Sequence, residues 1–181
     1  NADAVAHGST GAGNDQVRFD MIFHIMIPGT EIITPIRDLK LSREAEISYL
    51  KEKGVNMNFD KAMYSINKGL WGTSVGGKET LSSKGLLPEE AWPTQVTKSG
   101  TEEISLGFEK GELQSVNDKV FAHPVEAIQY LQSIAGPYGI GRDIHVGDTI
   151  IGIKGRVGFE AAAPMLILKA HHALEKHVLT K

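Results

Sequence analysis

Between Ala6 and Arg18 the chain reads A-H-G-S-T-G-A-G-N-D-Q-V-R, followed by Phe19 and Asp20. Three glycines within six residues stand directly before the pattern of a helix N-terminus. That combination suits an anion. Glycines let backbone N–H groups come close to a ligand, and the first N–H groups of a helix have no partner within it. Asn14 and Asp15 stand at the N-cap, where they satisfy those donors or reach a ligand beside them. Asn14 and Arg18, four apart, share one helix face, and Arg18 is the one Lys or Arg of an otherwise apolar helix. Phosphate, carboxylate or a ureido oxygen would each serve as its partner. The turn matches neither G-x-x-x-x-G-K-[ST] nor G-x-G-x-x-G. From the residues alone, a ligand site and a tight strand-to-helix connection with a snorkelling Arg both stand open.

Other candidates carry less. His7 adjoins the glycine turn and either approaches phosphate or bonds backbone. His171, His172 and His177 include no pair at i, i+4, so a shared metal site is not expected. Glu102, Glu103, Glu109 and Glu112 read as a solvated face, and Lys78, Lys84 and Lys98 as solvated surface. No carboxylate pair suggests acid–base chemistry, and no catalytic residue is assigned.

The elements that must position the turn are read from periodicity. Ala2–His7 predicts a strand. Asn14–Ile27 predicts a helix apolar on most sides and therefore buried. Glu31–Ile36 predicts a second strand, and Ser42 caps a helix over Arg43–Lys53 closed by Gly54. This β-α-β-α order implies a parallel sheet covered by helices. Asp60–Ser99, rich in Gly, Ser, Lys and Pro, reads as long loops. Then follow a β-hairpin turning at Glu109-Lys110-Gly111, a helix from Pro124 to Gly136, two strands around a glycine bend within 148–161, and a final helix over Met165–Thr180.

The 181 residues are 41% hydrophobic and 23% charged, ordinary for a soluble globular chain. A net charge of -3 gives no reason to expect nucleic acid or an anionic membrane as partner. The absence of cysteine excludes disulfides, zinc-thiolate sites and thiol nucleophiles. No apolar run approaches the roughly 20 residues of a membrane span, and N-A-D-A-V-A-H-G lacks the basic and apolar blocks of a signal peptide. The expectation is a cytoplasmic protein. Both ends read as cut, as in a fragment.

The segment H-G-S-T-G-A-G-N-D-Q-V-R-F-D resembles the H-G-x-T-G-x-G-N-D-Q-x-R-F motif of the argininosuccinate synthases. I-I-T-P-I-R-D is similar to that family's V-I-A-P-W-R-D strand, and Y-S-I-N-K-G-L-W-G-T-S to its Y-S-x-D-x-N-L-W-G-x-S. I-S-L-G-F-E-K-G resembles its V-x-I-G-F-E-K-G hairpin, and the block from Gly139 to Ala163 follows its G-x-G-R…G-x-K-S-R-G-x-Y-E-x-P. The resemblance implies an α/β protein: residues 1–58 form the C-terminal part of a Rossmann-like, ATP-pyrophosphatase-type nucleotide-binding domain. Residues 59–181 form an α+β synthetase domain, with substrates between the two.

It further implies an AMP-forming ligase joining aspartate to citrulline through a citrulline–AMP intermediate, with Mg²⁺ on the ATP and a homotetrameric assembly. Carried over by position, Ala6, His7, Gly8, Ser9, Thr10, Gly11, Ala12, Gly13 and Asn14 line ATP. Thr10, Asn14 and Asp15 bind aspartate. Asn14, Arg18, Ser65 and Ser74 bind citrulline, with Gly147 and Phe159 at its amino-acid end.

Departures accompany these matches. The family's S-G-G-x-D-[ST] loop is absent and belongs upstream, and the family's C-terminal extension is missing. Ala12 replaces the usual Lys, and Asn67 and Gly69 stand for Asp and Asn. Gly147 replaces a Glu that contacts citrulline, and Phe159 a Tyr. An unpaired, partly buried α-ammonium is costly. Either the acceptor is therefore an N-acylated citrulline, such as the N-acetyl or N-succinyl form, or Asp148 or a loop residue supplies the carboxylate after a small register shift. Two rivals are another ATP-pyrophosphatase-type ligase and a non-catalytic binding module.

Overall fold

A computed structural model describes residues 2–11, 13–57, 59 and 64–180. The chain divides into two units. Asn1–Met63 with Val146–Gly155 make the first, and Tyr64–His145 with Arg156–Lys181 the second.

In the first unit, β1 (Ala4–Ala6) and β2 (Glu31–Ile33) pair in parallel, Val5 opposite Ile32. Helix α1 (Asp15–Met26) connects them. The strand expected over Glu31–Ile36 stops at Ile33, because Pro35 lacks an N–H and takes the first position of a short helix α2 (Pro35–Asp38). The Thr34 hydroxyl bonds the Asp38 carboxylate at 2.8 Å across that turn. Helix α3 (Arg43–Glu52) starts as expected, with Ser42 Oγ accepting from the Ala45 N–H at 3.2 Å, and Gly54 follows it at φ 75°.

The predicted burial of α1 does not hold. Phe19, Met21, Ile22, Ile25 and Met26 are all at least 43% exposed, and Gln16 is the helix's one buried residue. Two strands of three residues are too small to cover a helix that is apolar on most sides.

The second unit has its own core. β3 (Ser65–Gly69) and β4 (Gly72–Gly76) form a hairpin where loops were expected. The sequence conceals it because β3 is exposed along its length and β4 is only five residues bounded by glycine at both ends. β4 pairs antiparallel with β9 (Lys154–Glu160), and β8 (Arg142–Asp148) completes a sheet in the order β3-β4-β9-β8. Of the two strands expected within 148–161 only β9 lies there; Ile150, Ile151 and Ile153 belong to a turn, where Gly152 takes φ 80°.

β5 (Leu106–Glu109), β6 (Glu112–Val116) and β7 (Lys119–Val120) make a second antiparallel sheet, with the expected hairpin turning at Lys110-Gly111. α4 (Pro124–Ala135) and α5 (Ala162–Val178) pack on it. Leu113, Val116, Phe121, Ala127, Leu131, Ala163 and Ile167 form one buried cluster, and Val75, Ala91 and Trp92 another beneath β4. Burying a side chain such as Leu131 contributes about 1.5–3 kcal/mol.

Candidate functional site

β1 ends at Ala6, and the His7 N–H still reaches the Ile33 carbonyl at 3.1 Å, so the glycine turn springs directly from the strand end. Gly8, Gly11 and Gly13 all lie outside the left-handed region, and a Cβ on any of them would meet nothing closer than 3.4 Å. Crowding and φ therefore do not require glycine here. What the three residues leave is bare backbone, open to a ligand. Ala12, between the last two, lies outside the described residues.

Asn14 precedes α1 without capping it. Its Oδ1 accepts instead from the Ile150 N–H at 2.7 Å, tying the turn at 149–153 to the helix start. Of the two roles open to Asn14 at the N-cap, satisfying the first helical donors is not the one its side chain takes. Asp15 and Arg18 pair across one turn at 3.2 Å, both side chains more than 60% exposed. Arg18's protein partner is thus a carboxylate at solvent, an arrangement worth little by itself and readily reopened.

Behind the turn lies a polar network that the motif contained but did not announce. The Ser9 N–H donates to His7 Nδ1 at 3.3 Å, so the neutral ring carries its proton on Nε2, facing Asp20 Oδ1 at 3.1 Å. Arg37 donates to the other Asp20 oxygen at 2.5 Å. That guanidinium holds the Asp20 carboxyl below the usual carboxylate range; burial opposes the effect and the His7 bond adds to it. His7 therefore bonds a carboxylate and the turn's own backbone. An acid inside an apolar helix and an Arg just beyond a strand were the available signals.

In the second unit, register gathers residues far apart in sequence. Ser74 stands opposite Asn67 on one side and opposite Phe159 on the other, while Ser65 faces Gly76. By strand alternation Ser65, Asn67, Ser74 and Phe159 share one face of the sheet, and Thr73, Val75, Gly158 and Glu160 share the buried face. Gly72 lies under Phe159, where a Cβ would come within 2.5 Å of the ring. His145 packs edge-on to the same ring at 5.4 Å. Asn67, Gly72 and His145 are the residues here that sequence reasoning did not assign.

The remaining sequence-predicted site residue, Gly147, is exposed near the end of β8, with nothing within 4 Å of an added Cβ. Its neighbour Asp148 is already paired, with Lys154 Nζ at 2.7 Å. Among the citrulline-assigned residues, Asn14, Arg18 and Gly147 fall in the first unit, and Ser65, Ser74 and Phe159 in the second.

Residues 1–56 match the N-terminal HUP domain model of the argininosuccinate synthases, and residues 64–181 match the C-terminal domain model. The chain belongs to the argininosuccinate synthase family. Argininosuccinate synthase of Methanocaldococcus jannaschii is 43% identical over 183 residues, covering 99% of this chain and 46% of its own. That of Metallosphaera sedula is 40% identical over 177 residues, covering 97% and 45%, and that of Pyrococcus furiosus 39% identical over 184 residues, covering 99% and 44%. The chain thus spans about half the length of the curated argininosuccinate synthases it matches. No helix among the described residues is long and apolar enough to cross a membrane.

Proposed function

We propose that this chain is part of an ATP-dependent ligase of arginine biosynthesis that joins aspartate to citrulline or an N-acylated citrulline and yields the corresponding argininosuccinate, AMP and pyrophosphate. The observation that carries this reading is the uncapped start of α1 behind three glycines that the fold itself does not demand. Bare backbone and unpartnered helical N–H groups favour a phosphate or carboxylate.

On this reading the nucleotide runs along Ala6–Asn14, with Mg²⁺ on its phosphates. The ureido oxygen of citrulline, held by Asn14, Arg18, Ser65 and Ser74, attacks the α-phosphorus, and pyrophosphate leaves. The aspartate amine, presented by Thr10, Asn14 and Asp15, then attacks the ureido carbon, and AMP leaves with the C–N bond formed. The ureido oxygen is a weak nucleophile, so alignment and charge stabilisation supply the rate. Arg18 can exchange Asp15 for substrate because that ion pair is exposed. The nucleotide-binding part ends near residue 58, and the enzyme works in the cytoplasm as a homotetramer.

One observation favours an N-acylated citrulline as acceptor: Gly147 opens onto free space, whereas the Asp148 carboxylate beside it pairs with Lys154 at solvent, a pair that substrate can open as it can that of Arg18. An acylated α-amine needs no counter-ion. The test follows AMP release by the complete gene product with ATP, Mg²⁺ and aspartate, offering citrulline, N-acetylcitrulline or N-succinylcitrulline. Preference for an acylated form is expected, and Gly147→Glu should move it towards citrulline by about tenfold, the scale of one hydrogen bond to a charged group. Equal rates on all three sink the acylated reading, and no AMP with any sinks the ligase.

A further inference from the structure

The glycine turn holds one polar side chain that the assigned roles leave unused. Gln16 is 4% exposed, and its Nε2 donates to the Gly13 carbonyl. That bond fixes the amide orientation, since the reversed amide would set two oxygens against each other. Its Oε1 is buried and has no hydrogen-bond partner among the described residues. It lies 3.4 Å from the place a Cβ on Gly13 would take, and Thr10 Oγ1 lies 3.9 Å from the same place. A buried acceptor without a donor is a standing cost, and here it borders the bare side of the turn.

We propose that Gln16 is a substrate-binding residue whose Oε1 accepts from the α-ammonium of the amino-acid substrate seated at the turn. Two oxygens converging beside Gly13 suit a group with several N–H donors. The carboxylates of the same ligand would meet the backbone N–H groups of the turn. Gln16 thereby selects a dicarboxylate that bears an amine over one that does not. The glycine at position 13 has a reason on this account: a methyl group there would stand between the acceptor and its donor. The inference rests on the ligase reading and adds a residue to it.

The test compares aspartate with succinate, which has the two carboxylates but lacks the amine, by calorimetric titration into the complete gene product. Gln16→Met removes the acceptor at similar length. Gly13→Ala keeps the glutamine, meets only ordinary contacts at ordinary φ, and covers Oε1. Both substitutions should lower the preference for aspartate over succinate by about tenfold, the scale of a hydrogen bond to a charged group; the ratio is the readout, because both ligands share the turn's backbone. Equal weakening of both ligands would overturn the proposal in favour of a purely structural tie to Gly13. An unchanged preference would overturn it as well, with a buried water as the donor. AMP release by the unsubstituted protein separates the two levels. If it occurs while the variants keep their preference, only Gln16's role falls; if it does not occur, the ligase reading falls and takes this inference with it.

Discussion

The two units that carry the assigned residues are built in opposite ways. In the second unit, Ser65, Ser74 and Phe159 ride on a sheet whose other face covers buried apolar residues. Every buried apolar side chain among the described residues lies in that unit. Among the described residues of the first unit the buried ones are Gln16 and Thr34, both polar, while most apolar residues of α1 are exposed. The glycine turn is held by hydrogen bonds instead: Asn14 to Ile150, Gln16 to Gly13, His7 and Arg37 to Asp20. One set of residues is positioned by packing, the other by polar cross-links around exposed backbone. The first arrangement resists displacement of a side chain. The second leaves backbone donors available.

The largest effect expected from this contrast is on stability. Leu131 is fully buried, so Leu131→Ala should cost about 2–5 kcal/mol through lost burial and the cavity left behind. Ile25, 67% exposed, should cost less than about 0.5 kcal/mol on the same substitution. Denaturant unfolding of the 181-residue chain reads both. A cost of about 2 kcal/mol or more for Ile25→Ala would break the comparison, because it would mean that the apolar face of α1 is covered after all.

What could be read from sequence divides along the same line. The turn from Ala6 to Arg18 is contiguous, so its motif, the strand before it and the helix after it were all legible. The Ser42 cap, the Lys110-Gly111 turn and the Pro124 helix start were also legible, since each is fixed by residues within a few positions. The face carrying Ser65, Ser74 and Phe159 is made by pairing strands some 85 positions apart. No local pattern states that register; the resemblance alone grouped these residues. The β3–β4 hairpin is not legible because an exposed edge strand such as Ser-Ile-Asn-Lys-Gly shows no apolar alternation to detect. The exposure of α1 is hidden for a related reason. Periodicity reports which faces are apolar, and it cannot report whether anything packs on them.

A smaller effect sharpens the functional side of the contrast. Gly72 has φ 147°, and an added Cβ would fall 2.5 Å from Phe159 Cε1 and 3.3 Å from Ala161 Cβ. Gly72→Ala must therefore push the Phe159 ring from its place, at about 1–3 kcal/mol of strain. Because Phe159 sits on the face assigned to the acceptor, the KM for the citrulline-type substrate should rise while that for aspartate stays constant. A rise in both would mean that the assigned residues of the second unit do not act on the acceptor alone.

The smallest expected effect concerns acid. Asp20 and Glu89 are carboxylates held below the usual range chiefly by hydrogen bonds from Arg37 and Arg142 respectively, one in each unit. A carboxyl whose pKa is lower in the folded than in the unfolded chain stabilises above its unfolded value. That contribution is lost as pH falls through the lowered folded value, so for Asp20 the loss belongs below about pH 4. Asp20→Asn should lower stability near neutrality by about 1 kcal/mol, the upper range for exposed ion pairs. Its melting curve should converge with that of the unsubstituted chain as pH drops from about 4 towards 2. Glu89→Gln should converge over a similar window but from a smaller gap, because packing of Arg142 against Trp92, 5.0 Å from the ring centroid, persists without the carboxylate. In the first unit Asp20 bonds both His7 and Arg37, so its loss removes two hydrogen bonds at once, although the His7 ring still packs against Phe19 at 5.5 Å. If the Asp20→Asn gap stays constant down to pH 2, the charge of Asp20 is irrelevant. The turn is then held by the shape of its hydrogen bonds, and the first unit behaves more like the second than its exposed helix suggests.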